Sequence, residues 1–486
     1  MQHLTIDILS DEDIQKIHET TLKILMDPGI VVVDPEARDI FRTNGCIVEE
    51  EEMRVRIPEE VLMKALSTIP PEFTLYSRDG KHNVEWKSDG SIVNNNTFGI
   101  GSSVIECLGH DRYIRRPSTL QDLANLCKVL DYCDNIEFPT TPVSALDHAD
   151  DPIRSLEEMR AMLYNTAKPL DFDSDSTFFK DYFEITKIIY GGDEERAFNE
   201  PILTVAGCPT SPLMLDSELT TTCIHGPEYG FPLSMTSMAM AGASSPIFLA
   251  GTLAVHNAEV LSALTLAQLA HPGCKCIYGS ATTIFDMKNS SCPVGCPEIG
   301  MIGAAVASLT HYYHIPCMVA GALSDAKRPC IQAGFEKAVN VFTPIMGGPS
   351  TIFGAGMLDL GSSQSMEQML IDNEIIGTIR LVKRGIKVDE LTLAYDSIVR
   401  VGNGNNFLAE HDTMDYMDEA SNPQYIDRGS FSDWADSGYP DISDIVHKKV
   451  LEILSKPPLN PIPDDVREKI DELLEKRRQE LEGLES

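Results

Sequence analysis

The sequence predicts an α/β protein: a (β/α)8 TIM barrel with an N-terminal α+β region and a C-terminal helical extension. Three observations predict it. Eight short apolar runs recur, at Asn135–Ser144, Lys168–Ser174, Pro201–Pro212, Phe231–Ser245, Cys274–Phe285, Ile315–Asp325, Ser350–Asp359 and Asp389–Ser397. Most end in a small or polar cluster that leads into a helical stretch. Together they span roughly the 250 residues typical of a closed barrel. The boundaries follow as 1–120 for the N-terminal region, 121–400 for the barrel and 401–486 for the extension. Such barrels keep their chemistry at the carboxyl ends of the strands. That points to Thr140, Asp171, Cys208, Met238, Thr282, Asp325, Gly354 and Asp396.

The first helix opens at Ser10, a capping residue with Asp13 three positions on. Ile14, Ile17, Thr21, Ile24 and Leu25 then follow one face, and Pro28-Gly29 ends it. A second helix is expected over Pro35–Asn44, closed by Gly45, and a third from Pro58-Glu59-Glu60. Phe73–Ser77 and Asn83–Lys87, split by a polar segment, read as a β-hairpin. This region precedes the barrel and is placed to plug one end.

Within the barrel, Ile153–Thr166 carries Leu156, Met159, Met162 and Leu163 at helical spacing. Ala258–Leu269 and Gly300–Thr310 are almost wholly apolar, so each is buried on more than one side, against another subunit or against a covering part of the same chain. Gly402–Asn406 reads as a loop, and helical sequence returns from Phe407. Pro457, Pro458, Pro461 and Pro463 stiffen a linker. The tail Asp464–Leu481 is amphipathic, with Val466, Ile470, Leu473, Leu474 and Leu481 on one face.

Charge and composition exclude several classes. The 39 basic and 74 acidic residues give a net charge of −35, a surface that repels phosphate backbones, so no nucleic-acid partner is expected. No apolar run reaches the roughly 18 residues of a membrane span, and Met1–Asp13 lacks the basic-then-apolar pattern of a signal peptide. A cytoplasmic protein with no membrane partner is expected. Its twelve cysteines form no framework and should be reduced.

Two cysteine spacings raise zinc. Cys274 and Cys276 share one face of a predicted strand, and Cys292 and Cys296 lie in the loop after the fifth run. Neither meets a second CxxC pair, and His311 with His314 stands about four turns downstream, so no metal is expected. Gly354-Ala-Gly356 and Gly99-Ile-Gly101 do not extend to a dinucleotide fingerprint, and no P-loop, nucleophile elbow or HExxH occurs. Asp325 and Lys327, after the sixth run, are catalytic candidates, balanced by a loop salt bridge as the plain reading. Phe98, Phe172, Tyr278, Phe285 and Phe353 lie at or near predicted strand ends, where converging rings can hold a quaternary ammonium by cation–π attraction.

The opening Leu9-Ser-Asp-Glu-Asp-Ile14, Ile17-His-Glu-Thr-Thr-Leu22 and Gly29-Ile-Val-Val32 resemble the start of the trimethylamine methyltransferase family. So do Ser324–Lys327, Gln332–Lys337, Gly354–Leu358, Phe407–Thr413 and Trp434–Gly438, blocks that span nearly the whole chain. The resemblance implies a (β/α)8 barrel that moves a methyl group from an amine to the cobalt of cobalamin on a separate corrinoid protein. The founding archaeal enzymes carry pyrrolysine; this chain reads through with twenty standard residues. A quaternary amine has no lone pair to capture, so the resemblance implies a betaine substrate. Weak aromatic contacts would surround its methyls. Its remote carboxylate would be held by Asn94–Asn96 (Asn94 and Asn96 foremost), by backbone N–H groups around Gly354 and Gly356, or by Lys327 or His411. The chain lacks an Asp-x-His-x-x-Gly stretch, so the corrinoid should arrive on its partner and dock over the strand ends, leaving the opposite face and the apolar helices for a homo-oligomer. Two alternatives stand beside this reading: a zinc-dependent thiol or methanol:corrinoid methyltransferase using Cys292 and Cys296, and a non-catalytic betaine-binding protein.

Overall fold

Helix α1 (Asp11–Met26) begins where the sequence places it. Ser10 Oγ and the Asp13 carboxylate exchange hydrogen bonds with each other's backbone N–H, a complete capping box. Its inner face buries Ile14, Ile17, Thr21 and Leu25. The structure is a computed structural model describing residues 4–109 and 112–484, so the first three residues of the Met1–Asp13 segment lie outside it. Helices Pro35–Thr43 and Glu59–Leu66 follow, with short strands Ile30–Val32, Ile47–Glu49 and Arg54–Arg56 paired into a small sheet. The hairpin of β1 (Glu72–Leu75) and β2 (Val84–Lys87) is antiparallel, with Phe73 opposite Trp86. Trp86 is fully buried, stacked on Phe73 and packed against Phe138. Ser350 Oγ donates to Lys87 O, and Tyr76 N donates to Pro201 O. The hairpin thus covers the amino ends of the central strands.

Those strands begin with β3 (Asn94–Thr97). An antiparallel pair, β4 (Ser103–Cys107) and β5 (Tyr113–Pro117), stands outside the main sheet. Then come β6 (Leu170–Phe172), β7 (Leu203–Gly207), β8 (Leu233–Ser237), β9 (Cys276–Ser280), β10 (Cys317–Ala320) and β11 (Thr351–Ala355). Seven of these form one parallel sheet in the order β3-β11-β10-β9-β8-β7-β6. Isolated parallel bridges join Asn96 to Phe138 and Thr140 to Asp171, so the segment between them touches both outer strands.

Seven of the eight apolar runs contain a sheet strand or, at 138–140, this bridging segment. The eighth does not. Asp389–Ser397 forms a turn and the start of the short helix Tyr395–Val401, with Leu391 and Leu393 more than half exposed. Its place in the sheet belongs to β3, four polar residues that apolar periodicity cannot find. Asparagine is depleted in strands, and here side-chain bonds compensate: Asn94 Nδ2 to Glu85 O, Asn96 Nδ2 to Thr140 Oγ1, Thr97 Oγ1 to Thr140 O.

The helices that pack around the sheet include α2 (Arg154–Asn165), α3 (Phe179–Ile189), α4 (Leu249–Ala270), α5 (Pro297–Tyr313), α6 (Ile331–Gly347) and α7 (Met366–Arg384). Among the described residues, α4 alone is long and apolar enough to cross a membrane, and 83% of its most apolar window is buried. It is covered by the same chain. Thr21 Oγ1 on α1 reaches Ala254 O, and Asn257 Nδ2 donates to Thr21 Oγ1 and to the Tyr313 hydroxyl. The C-terminal helices α8 (Ile442–Leu454) and α9 (Asp464–Leu484) return to the body. Arg478 on α9 bonds Asp151 and Glu157, and Ile470 and Leu474 are buried beneath it.

Candidate active site

Alternate residues of a strand face opposite sides. In β6 this turns Asp171 to the inner face of the sheet and Phe172 to the helices. Asp171 is 2% exposed. Its Oδ2 accepts from Thr140 Oγ1 at 2.9 Å and its Oδ1 from Thr204 Oγ1. Thr140 Oγ1 in turn accepts from Asn96 Nδ2 at 2.6 Å. Among the described residues no basic side chain bonds Asp171, and burial pushes its carboxyl pKa up. Asp173, just past the end of the strand, is pushed up to about 6 by burial and by the negative charges of Glu158 and Asp171, which outweigh the opposing charge of Arg154. Asn96 Oδ1, Ser234 Oγ and Thr351 Oγ1 are buried without a hydrogen-bond partner. Such orphaned groups mark where water or a ligand is received.

The candidate aromatic residues divide. Phe98 and Phe353 stack with ring centroids 5.9 Å apart, and Phe353 stands opposite Asn96 in the β11–β3 ladder. Phe353 shares one apolar cluster with Phe138, Ile277 and Met318. Phe172 and Tyr278 lie elsewhere, because strand alternation sends both outward. Phe172 meets Tyr182 on α3 edge-on, and the Tyr278 hydroxyl donates to Asn257 Oδ1 on α4. Phe285 is half-buried past β9, its backbone N–H bonded to Ala241 O.

The other candidates are dispersed. Asn94 is engaged at the hairpin end, donating to Glu85 O and Ser350 O. Gly354, at φ +141°, leaves room for Gly321 O, which a Cβ would meet at 1.8 Å; Gly356 makes room for Gln364. His411 is exposed at the start of the short helix His411–Asp415, and Asp396 lies in the first turn of Tyr395–Val401. Asp325 Oδ1 accepts from Val294 N at 2.8 Å, tying the loop after β10 to the loop after β9. Lys327 pairs with Asp359 at 2.8 Å and is largely exposed. Cys292 Sγ contacts Met240 Sδ, while Cys296 Sγ lies near Thr283 and Pro293 O.

Two buried features carry no sequence signal of their own. Glu259, an acidic residue inside apolar α4, accepts from Ser237 Oγ, Ser211 Oγ and Leu213 N, fixing the segments after β7 and β8. Lys337 on α6 and Asp372 on α7 form a buried ion pair at 2.7 Å. Lys337 also donates to Ala322 O, and Asp372 Oδ2 also accepts from Gly356 N, so the pair fixes the backbone just past β10 and β11. Met238, Ile247, Phe248 and Met287 are exposed on the segments that follow β8 and β9, giving this end an apolar rim. An acidic interior in which, among the described residues, no basic side chain bonds Asp171, lined partly by aromatic rings, suits a small cation.

The sequence profile of the trimethylamine methyltransferase family (MTTB) matches residues 2–482. A trimethylamine methyltransferase MttB of Methanosarcina thermophila is 44% identical over 463 residues, 95% of each chain. One from Desulfitobacterium hafniense (strain DSM 10664 / DCB-2) is 34% identical, covering 97% of this chain and 94% of its own. A glycine betaine methyltransferase of Desulfitobacterium hafniense (strain Y51) is 32% identical over 440 residues, 88% of each. The crystal structure of the Methanosarcina barkeri monomethylamine methyltransferase overlays on 91% of this chain and 94% of its own, with a TM-score of 0.49 and 13% identity. The chain belongs to the trimethylamine methyltransferase family and is a methyltransferase.

Proposed function

We propose that this methyltransferase takes a methyl group from a quaternary amine of the betaine class. The observation that carries the reading is the buried chain Asn96–Thr140–Asp171–Thr204, whose carboxyl bonds no basic side chain among the described residues, beside the stacked rings of Phe98 and Phe353. Cob(I)alamin, carried by a separate corrinoid protein, supplies the nucleophile. The apolar rim of Met238, Ile247, Phe248 and Met287 fits the docking of such a partner over the strand ends.

The chain's own groups then have defined tasks. Phe98 and Phe353 contact the methyls. Asp173 draws the cation in, and the bonded Thr140 and Thr204 hydroxyls keep Asp171 from gripping it. As the C–N bond breaks, its electron pair leaves on nitrogen as a neutral tertiary amine, and no general acid is needed. Positive charge fades in the transition state, so an anion that held the cation hardest would slow the step. Lys327, on the loop after β10, exchanges its pairing with Asp359 for the remote carboxylate.

A second reading is a trimethylamine substrate. It is favoured by the higher identity to relatives named for that amine, 44% against 32%. Loss of cob(I)alamin absorbance, followed with the corrinoid protein and a panel of amines, separates the two. A betaine substrate requires turnover of at least one betaine above that of trimethylamine, and a KM that rises for the betaine alone in Lys327→Ala. Faster turnover of trimethylamine overturns it.

Three further proposals accompany this reading. The sheet is taken to close into a (β/α)8 barrel, supported by the bridges Asn96–Phe138 and Thr140–Asp171 on its two edges. The division at 1–120, 121–400 and 401–486 is retained, with β3 lent by the first region to the sheet. Self-association is assigned to the exposed Ile386, Val388, Leu393, Tyr395, Leu408 and Met417, since α4 is covered by its own chain. Light scattering tests it.

A further inference from the structure

Outside the central sheet, three elements far apart in sequence bring unlike metal donors together. Cys107 ends β4, Glu367 lies in the first turn of α7, and His447 lies on α8. The thiol sulfur, a carboxylate oxygen and an imidazole nitrogen all lie within 4.8 Å of one another. His447 Nδ1 and Glu367 Oε1 are 2.9 Å apart, and Cys107 Sγ accepts from Gly109 N. Ser365 Oγ donates to the other carboxylate oxygen of Glu367. A cavity of about 180 Å³ opens beside these side chains. The neighbouring carboxylates are already engaged: Arg116 takes both Glu106 and Asp122.

A second observation marks the spot. Tyr113 stands opposite Cys107 in the β4–β5 ladder, and its hydroxyl meets the Cys107 thiol and Ser443, so the sulfur is held at the centre of a polar cluster. A His–Glu pair with a thiol beside it by chance accounts for the 2.9 Å contact. It does not account for the convergence of the sulfur, the carboxylate and the imidazole from three separate elements on one cavity.

We propose that Cys107, Glu367 and His447 form a Zn²⁺ site that pins α8 to α7 and to the β4–β5 pair. Thiolate, imidazole and carboxylate are the donor types zinc selects. Zinc–ligand bonds of about 2.0–2.3 Å hold tetrahedral donors about 3.3–3.8 Å apart, so the 2.9 Å His447–Glu367 contact opens and the more distant donors close on the metal. Binding exchanges the His447–Glu367 hydrogen bond for two metal bonds and sends the Cys107 thiol proton to water, while His447 binds as neutral imidazole. Water completes the coordination, and the Tyr113 hydroxyl is placed to bond it. The site lies apart from the Asp171 interior, so its role is to hold the C-terminal helices on the body.

The test uses the full chain, stripped with chelator and titrated with Zn²⁺ and, separately, Co²⁺. One equivalent of tightly bound Zn²⁺ is expected, with a thiolate-to-cobalt charge-transfer band in the Co²⁺ form. Cys107→Ser should abolish the band and weaken Zn²⁺ binding about 100-fold or more, because removing a ligand costs at least as much as removing its supporting groups. His447→Gln should weaken binding with the band retained at high Co²⁺. The double variant Cys292→Ser/Cys296→Ser should keep the band. No bound zinc, a cobalt form without the band, or a band lost with Cys292 and Cys296 overturns the proposal. The wild-type cobalt spectrum decides even where Cys107→Ser fails to fold.

Discussion

Thr140 donates its hydroxyl hydrogen to Asp171 across a backbone bridge that the same two residues form. The bridge is made by main-chain groups: Asp171 N donates to Pro139 O, and Thr141 N to Asp171 O. The Thr140 hydroxyl is therefore available to the carboxylate. With Thr204 on the other oxygen, Asp171 is solvated by hydroxyls, and among the described residues no basic side chain bonds it.

Replacing Asp171 with asparagine removes an uncompensated buried charge while keeping its shape. The fold should gain about 1–2 kcal/mol at neutral pH, because desolvation of the carboxylate no longer opposes folding. The kcat/KM for the amine should fall at least about 10-fold, equivalent to about 1.4 kcal/mol of lost transition-state stabilisation. Denaturant melts and corrinoid methylation read the two effects. An unchanged kcat/KM would remove Asp171 from the site.

Asp173 makes a prediction with a pH sign. Its carboxyl is pushed up to about 6, above the ordinary 3.8. The folded state therefore holds that proton more tightly than the unfolded chain does. Its contribution to stability is complete below about pH 4 and lost as pH rises through about 6. The cost of ionising it in place is about 3 kcal/mol. Asp173→Asn should stabilise the fold at pH 7 by about 1–3 kcal/mol and leave it little changed at pH 4. If the anion draws in a cationic substrate, wild-type KM should rise as pH falls through about 6, and this rise should vanish in the variant.

How far these residues were legible follows from what kind of signal each carries. The capping pair Ser10 and Asp13 is local, and the sequence placed α1 within a residue. Apolar runs located the strands that bury apolar side chains. They missed Asn94–Thr97, whose strand is held by side-chain bonds to Glu85, Ser350 and Thr140. Alternation along a strand puts Asp171 and Phe172 on opposite faces. Which of them faces inward depends on strand partners not adjacent in the chain. Phe172 and Tyr278 were thus read as mouth residues, though both pack against helices. Cys107 lies far from Glu367 in the chain, His447 stands 80 positions past Glu367, and no spacing rule joins the three.

The aromatic residues offer a test of that inward and outward division. Phe98→Ala and Phe353→Ala should each raise KM with little loss of stability for half-buried Phe98, by about 0.5–2 kcal/mol of lost cation–π contact. Phe172→Ala should instead cost about 3–5 kcal/mol of stability, because it empties a packed core position against Tyr182. KM should stay near wild type in the Phe172 variant where it remains folded. A KM that rises equally in Phe172→Ala would place that ring at the substrate after all.

The ion pair of Lys337 and Asp372 couples stability to the site without touching substrate. Both side chains are essentially unexposed, and their second bonds hold Ala322 O and Gly356 N, which flank the Phe353 end of β11. Lys337→Met strands a buried carboxylate and should cost about 3–5 kcal/mol. The double variant Lys337→Met/Asp372→Asn should recover much of that loss, since no unpaired charge remains, and the difference measures the coupling directly. Because the carbonyl of Ala322 loses its donor in both variants, the loop after β10 should loosen in both. KM should then rise in the double variant even where stability has returned. If KM and stability recover together, the pair acts on the fold alone.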